Sequence, residues 1–61
     1  MATIPILMIE DDEGLARMVS EYLGEFGFQV TIAGAALAGL DLLQRNSYDA
    51  LILDVMLPDM D

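Results

Sequence analysis

The sequence predicts a small α/β protein with the element order β-α-β-α-β. Two apolar runs, residues 6–9 and 51–53, lack the alternation of a half-exposed strand, so each is expected to be a strand buried on both faces of a parallel sheet. A helical apolar pattern separates the first run from residues 28–32, which alternate apolar and polar side chains. Strands that alternate with helices in this way are joined by right-handed crossovers and form a parallel sheet.

The first half of the chain predicts a strand, a helix and a turn. The strand covers residues 4–9, with Pro5 near its start, where a missing N–H is tolerated. The helix runs from about residue 12 to residue 26, and Asp11 or Asp12 is expected to cap it. Gly27 is expected at the C′ position after the helix. The expected apolar stripe consists of Leu15, Met18, Val19, Tyr22, Leu23 and Phe26.

The second half predicts an edge strand, a second helix and a third strand. Residues 28–32 form the edge strand, and the second helix runs from Gly34 to about Arg45. Its expected inward side chains are Ala36, Leu40 and Leu43. Residues 46–49 form a turn, residues 50–54 the third strand, and residues 56–61 a loop.

Composition excludes several classes of protein. The 61 residues allow one small domain, residues 1–61, and the net charge of −9 argues against binding nucleic acid. No apolar run approaches the ~20 residues of a membrane span. The first residues lack the basic region of a signal peptide, and the chain has no cysteine for a disulfide or thiolate site. We therefore expect a cytoplasmic protein without a membrane partner.

Acidic side chains follow both buried strands. Asp54 comes directly after residues 51–53, and Glu10, Asp11 and Asp12 come directly after residues 6–9. Open α/β sheets bind ligands at the carboxyl edge of the strands, so these carboxylates are expected to form one cluster. A divalent cation would offset their repulsion. Simpler alternatives are that Asp54 is a solvated charge at the end of a strand and that Glu10 and Asp11 only cap the helix.

Three segments together resemble the receiver domain of two-component response regulators. They are residues 6–12 (ILMIEDD), Gly27-Phe28 after the first helix, and residues 48–58 (YDALILDVMLP). The resemblance implies a flavodoxin-like fold with strand order 2-1-3 in this part of the domain. It also implies that the protein is not an enzyme in the usual sense, although receivers assist their own phosphorylation and dephosphorylation.

The resemblance also implies functional residues and partners. Asp54 matches the aspartate that accepts a phosphoryl group from a sensor histidine kinase. Glu10 and Asp11 match the acidic pair that helps bind Mg²⁺, and Met56 matches the residue whose backbone carbonyl is a further metal ligand. Pro58 matches the proline in the loop after the phosphorylated strand. The segment at 53–58 is typical of regulators whose full-length chain carries a DNA-binding output domain.

The chain departs from the family after its third strand. A complete receiver has five strands and five helices, and its Thr or Ser after strand four and Lys after strand five have no counterpart here; the chain contains no lysine. We therefore expect an N-terminal half-receiver, residues 1–61, with strand three as an exposed apolar edge. This leaves open a second function, a fragment that forms a homodimer through strand three, in the order 2-1-3-3′-1′-2′, and does not transfer phosphate.

Overall fold

Three parallel strands and two helices make up the described part of the chain. A computed structural model describes residues 3–54. The strands are β1 (Ile4–Ile9), β2 (Phe28–Ala33) and β3 (Ala50–Leu53), and the helices are α1 (Glu13–Gly24) and α2 (Ala36–Arg45). The strand order is β2-β1-β3, with both pairs parallel. The predicted element order, sheet type and strand order are confirmed.

The central strand carries most of the core. Ile6, Leu7, Met8 and Ile9 are all buried, and Leu7 has no exposed surface. β1 is covered along both edges because Ile6 pairs with Val30 on one side and with Ala50 on the other. β1 is apolar throughout, without alternating polar residues, because both its faces and both its edges are covered.

The two helices lie on opposite faces of the sheet. Ile9 contacts α2 at Gly39, where an added Cβ would overlap Ile9 Cδ1 and lie 2.6 Å from Cγ1. Met8, which points to the other face because side chains alternate along a strand, borders a cavity together with Leu15 and Val19 of α1. Within residues 3–54 neither helix is long and apolar enough to cross a membrane.

Helix α1 is shorter than predicted at both ends. It begins at Glu13, with Asp12 as the N-cap, and ends at Gly24 rather than at residue 26. Three turn bonds follow, in which the N–H groups of residues 25–27 donate to the carbonyls of residues 22–24 at 3.0–3.3 Å. Gly27 has a φ of 89°, a conformation that favours glycine. Because the C-cap is Glu25, Gly27 closes this turn one residue beyond the C′ position, where it was expected.

The inward face of α2 differs from the prediction. Leu40 is 54% exposed and Leu43 is 38% exposed, whereas Gly39 is buried and Ala36 and Leu42 pack on the core. The prediction was correct for Ala36 and wrong for the two leucines. The physical reason is the close approach of Gly39 to Ile9, which turns positions 36, 39 and 42 toward the sheet.

The predicted apolar stripe of α1 is only partly covered. Val19 and Leu23 are half-buried, but Met18, Tyr22 and Phe26 are each about 60% exposed, and the fully buried residue is Ala16. The Tyr22 and Phe26 rings contact each other edge-on, with centroids 5.2 Å apart. Helix α1 packs mainly against β2, and the sheet surface there is too narrow to cover the whole apolar stripe of the helix.

Strand β3 is not buried on both faces, contrary to the prediction. All four of its residues are exposed, because the helices lie over β1 and β2 and β3 is at the edge of the sheet. An apolar run predicts a buried strand, but the run alone does not indicate which neighbours cover it. Within residues 3–54, β3 pairs with β1.

Candidate functional site

Backbone hydrogen bonds bring the carboxyl ends of the three strands together. The Asp54 N–H donates to the Ile9 carbonyl at 3.1 Å, and the Glu10 N–H donates to the Ala33 carbonyl at 2.9 Å. β1 therefore leads directly into Glu10 and Asp11, and β3 leads into Asp54, at one edge of the sheet. This is the edge at which parallel α/β sheets bind ligands.

Three of the four predicted site residues lie together at this edge. Glu10, Asp11 and Asp54 each place one carboxylate oxygen within 4.8 Å of the others. Glu10 is 9% exposed, Asp54 is half-buried and Asp11 is exposed, so the cluster runs from the sheet edge to solvent. Met56, the fourth, and Pro58 fall outside the described residues.

The helix cap is a separate residue from this cluster. Asp12 Oδ1 accepts a hydrogen bond from the Leu15 N–H at 3.0 Å, as an N-cap does. The alternative that Glu10 and Asp11 only cap α1 is thereby weakened, because Asp12 does so. The Asp12 N–H also donates to Glu10 Oε2 at 3.3 Å, which links the cap to the cluster.

The proximity of the carboxylates changes the proton affinity of Glu10. A hydrogen bond between the Glu10 and Asp54 carboxyl groups raises the pKa of Glu10 above its ordinary value of 4.5. Partial loss of hydration, a hydrogen bond with Asp11 and the charge of Asp54 act in the same direction, and the Asp12 N–H acts against them. Without a cation, a proton held by Glu10 therefore relieves part of the repulsion.

The donor set suits a hard divalent cation. Mg²⁺ prefers oxygen ligands at about 2.0–2.1 Å, so oxygens on opposite sides of the ion lie about 4.2 Å apart. Three carboxylate oxygens that all lie within 4.8 Å of one another are near enough for one ion to contact all three. Mg²⁺ usually keeps several waters beside one or two carboxylates, and the exposed side of this cluster has room for them.

A shallow apolar cavity adjoins the acidic cluster and was not predicted from the sequence. Its volume is about 280 Å³. Glu10 and Asp54 border it at one end, and its apolar lining consists of Met8, Ile9, Leu15, Val19, Ile52 and Leu53. The available signal was that Leu15 and Val19 of the predicted α1 stripe lie four residues apart and so share one face of the helix.

Comparisons of the sequence with a family model and with curated proteins indicate the same family. The family model described as "Response regulator receiver domain" matches residues 6–61. The chain is 42% identical over 55 residues to the response regulator ArlR of Staphylococcus haemolyticus, which covers 90% of this chain and 25% of that protein. It is 38% identical over 55 residues to the transcriptional regulatory protein CusR of Escherichia coli, covering 90% of this chain and 24% of that protein.

A third relative has a similar identity to the chain and covers a similar share of it. The uncharacterized transcriptional regulatory protein YcbL of Bacillus subtilis is 39% identical over 54 residues, which cover 88% of this chain and 24% of that protein. The chain thus spans about a quarter of the length of these relatives. No solved structure gives a significant match. From the family match over residues 6–61 and the identities with these regulators, we conclude that the chain belongs to the response regulator receiver domain family.

Proposed function

We propose that this chain is a phosphoacceptor module of a two-component response regulator. In this proposal Asp54 accepts a phosphoryl group from a sensor histidine kinase. Glu10, Asp11 and Asp54, together with the backbone carbonyl of Met56, hold the Mg²⁺ ion that the reaction uses. The observation that carries the proposal is the convergence of three carboxylates from the ends of β1 and β3 within 4.8 Å.

The arrangement of the cluster supports separate roles for its members. Asp54 is half-buried and its backbone is fixed to Ile9, which favours one orientation of the acceptor carboxylate. Glu10 is buried beside it, and Asp11 is exposed at the solvent side. When bound, Mg²⁺ would supply charge neutralisation for the phosphoryl group, and the protein's contribution would be mostly positioning.

The wider setting is proposed from the family and the charge. Relatives are named as transcriptional regulators, so we propose that the full-length protein has a DNA-binding output domain. These 61 residues, with a net charge of −9, would not bind nucleic acid themselves. We also propose a cytoplasmic location, no membrane contact, and no catalytic activity beyond the module's own phosphorylation and dephosphorylation.

A second candidate function is favoured by the exposure of β3. The chain would then be the N-terminal half of a receiver, residues 1–61, that forms a homodimer through β3 and does not transfer phosphate. The exposed Leu51, Ile52 and Leu53 support it. The two functions differ in whether Asp54 reacts.

The deciding experiment is intact-mass measurement after incubation with acetyl phosphate and Mg²⁺. We expect one phosphoryl adduct on the parent chain and none on Asp54→Ala. Asp49→Ala is the matched control, because Asp49 is an exposed acid at the opposite end of β3, and it should be phosphorylated like the parent. Omission of Mg²⁺ should abolish the adduct.

Circular dichroism on the same samples verifies that each protein is folded. A folded parent chain that gains no adduct would overturn the phosphoacceptor proposal and support the second candidate. An adduct that persists in Asp54→Ala would overturn the assignment of the acceptor residue.

A further inference from the structure

Asp12 is held in place by the first turn of α1. Its side-chain Oδ1 accepts a hydrogen bond from the Leu15 N–H at 3.0 Å, and its carbonyl accepts one from the Ala16 N–H at 2.9 Å. Its backbone is extended, with a φ of −82° and a ψ of 104°. Because Ala16 has no exposed surface, the turn that holds Asp12 is itself packed into the protein.

The remaining backbone group of Asp12 is directed at the acidic cluster. The Asp12 N–H donates to Glu10 Oε2 at 3.3 Å, and Glu10 is 9% exposed. A hydrogen bond from a backbone N–H to a carboxylate is charge-assisted and is stronger than a neutral one. A carboxylate has about four lone-pair sites, so Glu10 can accept this bond and still bind a cation. The bond therefore restricts the orientation of the carboxylate without using up its capacity as a ligand.

We propose that Asp12 is a positioning residue for the cation site and acts on the ion through Glu10. The Asp12 side chain fixes its own backbone by accepting the Leu15 N–H. The Asp12 N–H, fixed in this way, then holds the Glu10 carboxylate in one orientation. Metal sites commonly depend on such outer hydrogen bonds, because these orient the ligands that contact the ion. The inference rests on the proposed binding of Mg²⁺ by the acidic cluster.

Gly14 makes the first turn of α1 dependent on this cap. Glycine is a poor helix former because it loses the most backbone freedom on folding, and Gly14 is the second residue of α1. A Cβ added at Gly14 would lie 3.5 Å from Asp12 Oδ1, which is an ordinary van der Waals contact. Alanine at position 14 therefore strengthens the turn without replacing the cap.

The charge of Asp12 has to be separated from its hydrogen bonds. A carboxylate near a cation attracts it whatever the orientation of the side chain, so loss of the charge alone would weaken Mg²⁺ binding. Asparagine caps a helix as well as aspartate does, whereas alanine does not, and neither is charged. Asp12→Asn and Asp12→Ala therefore differ in the cap and not in charge.

Calorimetric titration with Mg²⁺ compares this pair of variants. We expect Asp12→Ala to bind Mg²⁺ about three- to fivefold more weakly than Asp12→Asn, because the Glu10 carboxylate is less firmly oriented. Equal affinities would overturn the inference, since the charge would then be the whole contribution of Asp12.

A second substitution, Gly14→Ala, separates positioning from stability. Introduced into Asp12→Ala, it should restore resistance to urea, because alanine is a better helix former than glycine. It does not restore the side chain that accepts the Leu15 N–H, so the Mg²⁺ affinity should stay at the value of Asp12→Ala. A double variant with the affinity of Asp12→Asn would overturn the inference, because stability of the turn alone would then suffice.

Amide hydrogen exchange in a chelating buffer gives a readout that does not involve the cation. After correction for the neighbouring side chains, the N–H of residue 12 should exchange about threefold or more faster in the double variant than in Asp12→Asn. The reason is that this N–H is no longer held on Glu10. Equal corrected rates would overturn the inference.

These outcomes are distinguishable from a failure of the proposed function. A parent chain that binds no Mg²⁺ would overturn both the cation site and this inference. A parent chain that binds Mg²⁺ and is phosphorylated at Asp54, with equal Mg²⁺ affinities in Asp12→Asn and Asp12→Ala, would overturn this inference alone.

Discussion

Asp54 and Ile9 are joined by a hydrogen bond from the Asp54 N–H to the Ile9 carbonyl, 3.1 Å long. Ile9 is the last residue of β1, and the next residue is Glu10. This one bond therefore places the carboxylate after β3 beside the carboxylate after β1. The spacing of the acidic cluster depends on the register of the sheet and not on a flexible loop.

Separate roles for the neighbouring acids Asp11 and Asp12 predict opposite effects of their substitution. Asp12→Ala removes the side chain that accepts the Leu15 N–H and should lower the free energy of unfolding by about 1 kcal/mol. Asp11→Ala should leave stability nearly unchanged and weaken Mg²⁺ binding about tenfold or more, because one charged ligand is lost.

Urea denaturation and calorimetric titration with Mg²⁺ measure the two effects on the same proteins. Equal losses of Mg²⁺ affinity in both variants, with equal stabilities, would contradict the division of roles.

The raised pKa of Glu10 predicts how the stability of the metal-free chain depends on pH. Above the ordinary value of 4.5 and up to its raised folded-state pKa, Glu10 holds more protons in the folded chain than in the unfolded chain. Its contribution to stability is therefore fully present below about pH 4.5 and is lost as the pH rises through the folded-state value.

Glu10→Gln should remove this component, so the difference in unfolding free energy between parent and variant should change with pH between 4.5 and neutrality. Urea titrations in a chelating buffer measure it, with Glu13→Gln as the control, since Glu13 is an exposed acid in the first turn of α1. Parallel stability curves for parent and Glu10→Gln would refute the prediction.

The close approach of Gly39 to Ile9 predicts that an added methyl group is harmful there. Alanine normally stabilises a helix interior by up to about 1 kcal/mol relative to glycine. At position 39 the Cβ would overlap Ile9, which is 3% exposed, and overpacking of this kind costs about 1–3 kcal/mol. We expect Gly39→Ala to lower the free energy of unfolding.

Gly24→Ala is the matched control, because nothing lies within 4 Å of its added Cβ at the end of α1. It should be neutral or slightly stabilising. If urea denaturation showed Gly39→Ala to be as stable as Gly24→Ala, the close packing of α2 on β1 would be incorrect.

The element order and the position of the acids could be predicted, because strand ends and helix starts are local features of the sequence. The strand order came from the resemblance to receiver domains, because local patterns do not say which strands are neighbours. The rotation of α2 could not be predicted, since apolar periodicity counts side chains, and the buried residue of α2 that lies against Ile9, Gly39, has none. The choice between Asp11 and Asp12 as the cap was also open, because either side chain could accept a hydrogen bond from an N–H group of the first turn.

The end of α1 was misplaced for a related reason. The apolar pattern continues to Phe26, but the last bonds after Gly24 connect residues three apart and form a turn. The exposure of the two faces of β3 was missed because burial depends on neighbours, and an apolar run carries no information about how many of them are present.

The pairing of β1 with β3 is weaker at the amino end of β1, which contains Pro5, than at its carboxyl end. Proline has no N–H, so at the amino end of β1 only its carbonyl bonds toward β3, by accepting the Asp49 N–H. At the carboxyl end, the Asp54 N–H binds Ile9 between strands that are both regular. Local opening should therefore begin near Ala50, and amide hydrogen exchange should be slowest where the carboxylates converge. The amino end of the β1–β3 pair would therefore open before the acidic cluster loses its geometry.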